Sequence, residues 1–286
     1  MFRTRLISGI VLVLLALVTI LTGGWVLAGV LCAISVIAYR ELTKATGVHT
    51  DGKGINGLEI TGSILSILYY IVLFLCMVRM EAYDLSVVYP VIAIAVILSL
   101  LVFMFVYVFS FPKFKANQVM TAYFELLYAP VLLSFIFIIR EGWQYGNYLV
   151  WLIFFCSWGS DTCAYCVGVL FGKHKMTPKL SPKKSVEGAI GGVVGAALLF
   201  GLYTHFVINP FTDEVFRIHW GSAMCLGAIG ALVSMVGDLA ASAIKRDHAI
   251  KDYGKLIPGH GGIMDRFDSV IIAAPLIFIG LALITP

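Results

Sequence analysis

Long runs of apolar residues set the strongest limit on how this chain can fold. Nine such runs occur, and most reach the roughly 20 residues that an α-helix needs to cross a bilayer. Because a backbone inside lipid must satisfy its own hydrogen bonds, the runs predict an all-α polytopic membrane protein with about nine transmembrane helices. The runs lie at residues 6–22, 25–42, 58–78, 86–109, 119–139, 148–171, 188–207, 221–244 and 269–285.

The composition agrees with this class of protein. Of the 286 residues, 60% are hydrophobic and 13% are charged, and the mean hydropathy is +0.97. A soluble domain carries about twice that share of charged residues. The helices are therefore expected to pack against one another within lipid rather than around a core shielded from water.

Small residues in the apolar runs are expected to serve helix packing. Cys163 and Cys166 have the C-x-x-C spacing of some metal and redox sites, but no second pair accompanies them, so we interpret them as packing residues. We expect no disulfides among the six cysteines, which are Cys32, Cys76, Cys156, Cys163, Cys166 and Cys225. Close helix packing is also expected at Gly188, Gly191, Gly192 and Gly195.

Lysine and arginine are distributed unevenly over the polar segments between the runs. Seventeen of the 20 lie in, or at the edge of, alternate segments counted from the N-terminus, and three lie in the others. Since cytoplasmic segments carry the excess of positive charge, the N-terminus is predicted to be cytoplasmic and the C-terminus outside. Segments 172–187 and 245–268, with five basic residues each, would then face the cytoplasm.

The first half of the chain carries little chemistry. Four acidic residues lie at or near predicted helix ends, so solvated or interfacial roles are expected for them rather than catalytic ones. They are Glu41, Glu59, Glu81 and Glu125. Region 1–147 is therefore predicted to be a scaffold of five helices that could also provide oligomer contacts. Region 148–286 is predicted to hold four helices and the catalytic residues.

The stretch 237–268 begins in one apolar run and ends in the next, yet it is dense in charges of both signs. On a helix, Asp238 and Lys245 lie two turns apart on one face. Asp265 and Asp268 would begin the final helix, where the positive end of the helix dipole tolerates carboxylates. Carboxylates bind hard cations and basic side chains bind phosphate oxygens, so the stretch predicts a magnesium–nucleotide site.

Two further features of the second half indicate the same chemistry. Asp161 lies well inside an apolar run, where a charge is costly and usually functional, although a hydrogen-bonded packing role stays open. The segment 181–188 reads S-P-K-K-S-V-E-G, and its lysines and serines suggest a cradle for phosphate. Pro178 and Pro182 exclude a simple helix in this region.

Residues 242–268 match the pattern S-x-I-K-R-x4-K-D-x-G-x2-I-P-x-H-G-G-I-x-D-R-F-D without a gap. The pattern resembles the signature of the phosphatidate cytidylyltransferase (CDP-diacylglycerol synthase) family, and the likeness is clearest over about residues 157–268. The resemblance implies a nucleotidyltransferase of phospholipid biosynthesis that moves CMP from CTP to phosphatidate, giving CDP-diacylglycerol and pyrophosphate. It implies Mg²⁺ as the cofactor, with a second metal ion left open.

The same resemblance implies where the enzyme works and with what. CTP, phosphatidate and membrane lipids are the expected partners, and no nucleic acid is expected. The expected place is a bacterial inner membrane, with the active site facing the cytoplasm. A homodimer stays an open alternative.

Roles within such a site follow from position in the chain. The candidate metal ligands are Asp238, Asp265 and Asp268, with Asp161 as an alternative. The candidate catalytic residues are Asp238, Asp265, Lys245 and Arg246. The candidates for binding nucleotide and substrate are Lys183, Lys184, Ser185, Ser242, Lys251, Asp252, His260 and Arg266. For His260, shaping the glycine-rich turn is an equally good interpretation.

Other functions remain as alternatives at this point. A related CTP-dependent enzyme could act on an ether-linked phosphate or a polyprenol, which only an assay with defined lipids distinguishes. An ion-coupled transporter would also place acids in helices, but it would spread polar residues across the membrane depth. Here they concentrate at the predicted cytoplasmic ends of the last four helices. A scaffold without catalysis would leave the acidic residues unexplained.

The uneven charge distribution predicts that both basic segments face the cytoplasm. Single cysteines placed at Ser181 and at Lys255 in a cysteine-free background should react with an impermeant thiol reagent only from the cytoplasmic side. Labelling of intact cells and of inside-out vesicles provides the measurement. Reaction of either cysteine from the outside would overturn the predicted orientation.

Overall fold

The structure is a computed structural model that describes residues 2–49, 54–78, 85–259 and 261–285. In this part of the chain, each apolar run lies in a helical segment. They are α1 (Phe2–Thr22), α2 (Gly24–Ala45), α3 (Gly57–Val78), α4 (Val88–Phe109), α5 (Ala116–Gly142), α6 (Gly146–Phe171), α7 (Val186–Phe211), α8 (Trp220–Asp247) and α9 (Met264–Ile284).

The predicted all-α polytopic class is confirmed, and the protein is an integral membrane protein. Among the described residues, eight helices, α2 to α9, are long and apolar enough to cross a membrane. The remaining predicted helix, the first in the chain, is present as α1. Its described apolar part, Ser8–Thr22, is shorter than each of the other eight helices. The orientation of the two termini stays a prediction.

Three of the membrane-length helices contain a π-helical turn, at Leu127–Val131, Phe155–Gly159 and Thr204–Ile208. Pro130 lies in the first of these turns and removes a backbone donor from the helical ladder there. The second turn directly precedes Asp161 in α6. Because a π-turn inserts one residue into the helical repeat, it changes the face on which the following side chains lie.

Between α6 and α7 the chain forms a short hairpin that the sequence did not predict. Strand β1 (Lys175–Thr177) pairs antiparallel with β2 (Ser181–Ser185), and Thr177 lies opposite Ser181. The absence of a helix was expected from Pro178 and Pro182. Proline lacks a backbone donor but is accepted in turns and in strands at a sheet edge.

The chain divides into two compact units. The first contains residues 1–144 and 247–266, and the second contains residues 145–246 and 267–286. The first unit therefore holds α1 to α5 together with the loop that connects α8 to α9. The second holds α6, the hairpin, α7, α8 and most of α9. The predicted division of roles between regions 1–147 and 148–286 stays a prediction.

In the first unit, the expectation that Glu41, Glu59 and Glu125 are solvated is wrong, because all three are buried in the protein. Glu81 lies outside the described residues. Glu59 accepts the backbone N–H of Asn56 (2.8 Å) while its own N–H donates to the Asn56 side chain (2.9 Å), which forms a capping box at the start of α3. Glu125 accepts a hydrogen bond from the Thr46 hydroxyl at 2.6 Å. Glu59 and Glu125 thus accept hydrogen bonds from donors that lie next to them in the fold.

In the second unit, α6 and α7 pack closely because glycines remove side chains from the contact. A Cβ atom at Gly191 would lie 2.5 Å from Val167, and one at Gly195 would lie 2.5 Å from the sulfur of Cys163. One at Gly188 would lie 2.8 Å from the carbonyl oxygen of Ala164. The predicted packing role of these glycines and of Cys163 is confirmed, whereas the same prediction for Cys166 is wrong because that residue is exposed. All six cysteines are free thiols.

Replacing one of these glycines should separate the two helices. Gly191→Leu is expected to lower the free energy of unfolding by roughly 1–3 kcal/mol, the usual cost of overpacking. Thermal unfolding in detergent provides the measurement. The matched control is Ile190→Leu, since the neighbouring Ile190 side chain is 60% exposed. Equal melting temperatures for the two variants would contradict the close packing.

Candidate functional site

Three carboxylates from three helices of the second unit lie within electrostatic reach of one another. Asp268 of α9 is 8% exposed, and it interacts electrostatically with Asp238 of α8 and Asp161 of α6. Lys245, two turns along α8 from Asp238, supplies positive charge to the same group. Lys184 pairs with Asp238. We call these residues the acidic cluster: Asp161, Asp238, Asp268, Lys184 and Lys245.

Close helix packing explains why the acids of α8 and α9 meet. A Cβ atom at Gly237 would lie only 3.0 Å from the backbone oxygen of Asp268. A glycine beside Asp238 therefore lets the two helices approach at the level of their acids. On the α6 side, Trp158 packs edge-on against Phe267, with ring centroids 6.2 Å apart. These contacts hold the three helices together next to the cluster.

The hairpin contributes the second lysine of the cluster. Lys184 forms an ion pair with Oδ2 of Asp238, and each side chain is 25% exposed. Successive residues of a strand point to opposite faces, so the neighbouring Lys183 points the other way and is exposed. The sequence predicted the same role for both lysines, but the structure brings only Lys184 to the acids.

Ser185 has a structural contact that the sequence did not predict. Its hydroxyl accepts the backbone N–H of Gly188 at 3.1 Å and so caps α7. Glu187 accepts from the backbone N–H groups of Lys173 and His174, at 3.1 Å and 3.2 Å, and holds the start of the hairpin loop. The base of the hairpin is thus fixed by side chains of the segment 181–188 itself.

The carboxylates of the cluster are groups of the chemical type that binds Mg²⁺. Within the described parts of the chain, no three His, Cys, Asp or Glu side chains are grouped closely enough to hold a metal ion alone. Mg²⁺ usually takes only one or two protein carboxylates and fills its remaining positions with water and substrate phosphate. Asp238 and Asp268 could supply two such carboxylates, and Lys184 and Lys245 place positive charge near them.

A cavity of about 580 Å³ lies in the first unit, within the loop that precedes α9. Its charged lining consists of three basic residues and one acid. These are Lys251, Lys255, Arg266 and Asp252. The remaining lining consists of Gly254, Ile257, Pro258, Gly259 and Gly261. A basic cavity with little side-chain bulk is suited to binding phosphate groups through side chains and backbone N–H groups.

Asp265 organises this loop. Its Oδ2 accepts the backbone N–H of Tyr253 at 2.8 Å and that of Gly262 at 3.0 Å. Gly261 has φ +89°, a conformation that favours glycine, and a Cβ atom there would lie 2.8 Å from the same oxygen. One oxygen of this predicted metal ligand is thus already engaged by two donors. Its role as a ligand stays a prediction.

Glu41 of α2 contacts this loop, and the sequence did not predict that contact. Its carboxylate accepts the backbone N–H groups of Ile263 (3.2 Å) and Met264 (2.8 Å). No local pattern could indicate this contact, because the partners lie more than 200 positions further along the chain. The only signal is the charge itself near the end of an apolar run.

The other predicted site residues lie on the same elements. Ser242 and Arg246 belong to the last turns of α8, where Ser242 is half-buried and Arg246 is exposed. His260 lies outside the described residues. The structure thus brings Asp161, Asp238, Asp268, Lys184 and Lys245 together in the second unit, and Lys251, Asp252 and Arg266 together in the first.

A comparison with protein families identifies the chain. The model of the cytidylyltransferase family matches residues 3–284, which is nearly the whole sequence. The chain belongs to the cytidylyltransferase family.

Curated relatives of this cytidylyltransferase-family chain carry a common name, phosphatidate cytidylyltransferase. The protein of that name from Mycobacterium bovis is 38% identical over 171 residues, which is 49% of this chain and 53% of the relative. That from Haemophilus influenzae is 34% identical over 131 residues, or 46% and 44% of the two chains. That from Thermotoga maritima is 30% identical over 154 residues, or 54% and 56%. The chain spans about half the length of these relatives.

Proposed function

We propose that this protein transfers CMP from CTP to phosphatidate, giving CDP-diacylglycerol and pyrophosphate. The observation that carries the proposal is the cluster of carboxylates and lysines around Asp268 and Asp238. It adjoins a signature that resembles this enzyme family, and the curated relatives have the corresponding name. A membrane protein whose helix ends carry both acids and bases suits a reaction between a lipid phosphate and a soluble nucleotide.

The chemistry explains why the site holds acids and bases but no activated nucleophile. A phosphate oxygen of phosphatidate, already anionic at neutral pH, attacks the α-phosphorus of CTP, and pyrophosphate leaves. The protein must bring two polyanions together, keep the attacking and leaving oxygens in line and balance the charge on the leaving group. Lysines suit these tasks as mobile point charges that contact phosphate oxygens.

Within the acidic cluster, we propose that Asp238 and Asp268 hold Mg²⁺, with Asp161 beside them. When bound, Mg²⁺ would neutralise charge on the triphosphate and on the transition state. Lys184 and Lys245 would bind phosphate oxygens. The ion pair between Lys184 and Asp238 keeps both charges compensated in the absence of substrate. If a second metal ion binds, Asp161 would be the further acid available to hold it.

The basic loop cavity is proposed as a nucleotide-binding element of the same reaction. Lys251, Lys255 and Arg266 line it and would take phosphate oxygens, and Asp252 could accept from the amino group of the base. CTP is found in the cytoplasm, so the proposal places both sites on the cytoplasmic face, in a bacterial inner membrane. Phosphatidate would enter sideways from the lipid.

A direct assay tests the proposed function. Purified protein in mixed micelles should release pyrophosphate from CTP only when phosphatidate and Mg²⁺ are both present, and it should form CDP-diacylglycerol in equal amount. Chelation of the metal should abolish the reaction, and added Mg²⁺ should restore it. Product formation from an ether-linked phosphate or a polyprenyl phosphate, but not from phosphatidate, would favour the alternative lipids. No CTP-dependent product on any of these lipids would refute the proposal.

Removing either acid of the cluster should reduce turnover while the protein stays folded. Asp238→Asn and Asp268→Asn are each expected to lower kcat by about a hundredfold, on the order of 3 kcal/mol of transition-state stabilisation. Higher Mg²⁺ should restore activity only partly, because the lost oxygen also fixes geometry. Asp213→Asn is the matched control, since Asp213 belongs to the segment before α8 and accepts a hydrogen bond from Tyr145 instead.

Thermal unfolding in detergent separates a loss of catalysis from a loss of fold in these variants. If both folded cluster variants kept near wild-type turnover at ordinary Mg²⁺, the metal site would have to lie elsewhere. A similar loss in Asp213→Asn would show that the assay reports general damage to the second unit.

A further inference from the structure

We propose that Glu41 is a positioning residue for the signature loop, by which we mean residues 247–266. Glu41 lies on α2, far from the loop in sequence, and holds the loop in the shape that binds the nucleotide. The inference rests on the proposed function, because it assigns the loop cavity to CTP. It concerns a residue that lies outside the signature at residues 242–268.

The first observation is the hydrogen bonding at the end of the loop. The two oxygens of Glu41 accept from Ile263 (3.2 Å) and Met264 (2.8 Å), one donor for each oxygen. Since α9 begins at Met264, these N–H groups are among the donors that a helix start leaves without an intrahelical partner. The negative charge also complements the positive end of the α9 dipole. Glu41 thus serves α9 as a capping group from another helix.

The second observation is that two glycines of the loop lie directly against the same carboxylate. A Cβ atom at Gly254 would come within 2.2 Å of a Glu41 oxygen, and one at Gly262 would come within 2.4 Å. The Cβ position at Gly254 is also 3.2 Å from the Cα atom of Gly262, so the two ends of the loop approach each other at Glu41. Any side chain at either position would displace the carboxylate.

The third observation is that the residues in contact with Glu41 lie among or beside those that line the cavity. Ile257 pairs with Gly261 through a 2.9 Å backbone hydrogen bond at the tip. Gly254 and Arg266 line the cavity directly. Glu41 itself does not line the cavity, so it acts on the nucleotide only through the backbone that it holds.

The position of Glu41 on its own helix argues against a purely local role. It lies in the last turns of α2, where a negative charge is unfavourable because the helix dipole is negative at that end. The side chain is also buried, with 8% of its surface exposed. A buried carboxylate at this place is compensated by the donors of the signature loop rather than by its own helix.

The test compares two glutamates of the first unit that undergo the same chemical change. Glu41→Gln leaves one acceptor oxygen and places an amide donor against a buried N–H of the loop. Glu59→Gln is the matched control, because Glu59 is also buried and also accepts from a helix start, that of α3. Glu59 has no hydrogen bond to the signature loop among those of the described residues.

Hydrogen–deuterium exchange of the purified, full-length protein reports on the loop without any need for activity. In Glu41→Gln, peptides covering residues 253–266 should exchange about tenfold faster than in the wild type, because a buried donor has lost its partner. Glu59→Gln should leave their exchange unchanged. Equal protection of these peptides in wild type and Glu41→Gln, or equal loss in both variants, would overturn the proposal.

Steady-state kinetics test the consequence for the nucleotide. The KM for CTP should rise about tenfold in Glu41→Gln, while the KM for phosphatidate stays within about twofold, since a loosened loop binds its ligand less well. Loss of kcat alone, or an equal rise in both KM values, would overturn the positioning role. If the wild type makes no product from CTP and phosphatidate, the proposed function fails, and the exchange experiment still decides whether Glu41 holds the loop.

A second variant approaches the same contact from the loop and keeps the test valid if Glu41→Gln does not fold. Gly262→Ala adds one methyl group against the Glu41 oxygens and adds no residue to the cavity lining. It should produce the same faster exchange and the same selective rise in the KM for CTP. Wild-type exchange and kinetics in Gly262→Ala would contradict the proposal.

Discussion

Compensation of buried carboxylates is the constraint on which the functional parts of this protein depend. An ionised acid among apolar helices is costly unless hydrogen-bond donors or positive charges stand next to it. In the first unit, Glu41, Glu59 and Asp265 are compensated by backbone N–H groups. In the second unit, the half-buried Asp238 is compensated by a lysine. The two kinds of partner give the acids two kinds of role.

An acid held by backbone donors helps to fix the shape of the chain, whereas an acid held by a lysine can exchange its partner. Backbone N–H groups cannot move without deforming the chain, so Glu41 and Asp265 keep the signature loop in one shape. A lysine has a flexible stem, so Lys184 can turn to a phosphate and leave Asp238 for a cation. This difference agrees with a proposed reaction in which a polyanion and its metal ion arrive together.

Several parts of the structure could be predicted because they depend on residues close together in sequence. Each apolar run became a helix, since the need to satisfy the backbone inside lipid acts on every segment separately. The packing role of Gly191 and Gly195 could be predicted because small residues in an apolar helix let another helix approach closely. The predictions were wrong or incomplete where the partner is distant. Glu41 and Glu125 were expected at a polar surface, yet they are buried with partners that are distant in sequence.

The sequence by itself determined the class of protein, the helices and the stretch of charged residues that carries the family signature. These properties follow from hydrophobicity, chain length and local residue order. Only the tertiary structure decided that Lys184 rather than Lys183 pairs with Asp238, and that α6, α8 and α9 bring their acids together. It also decided that a glutamate of α2 holds the signature loop. The physical reason is that electrostatic and hydrogen-bonding partners are selected by distance in space, and helix packing sets that distance.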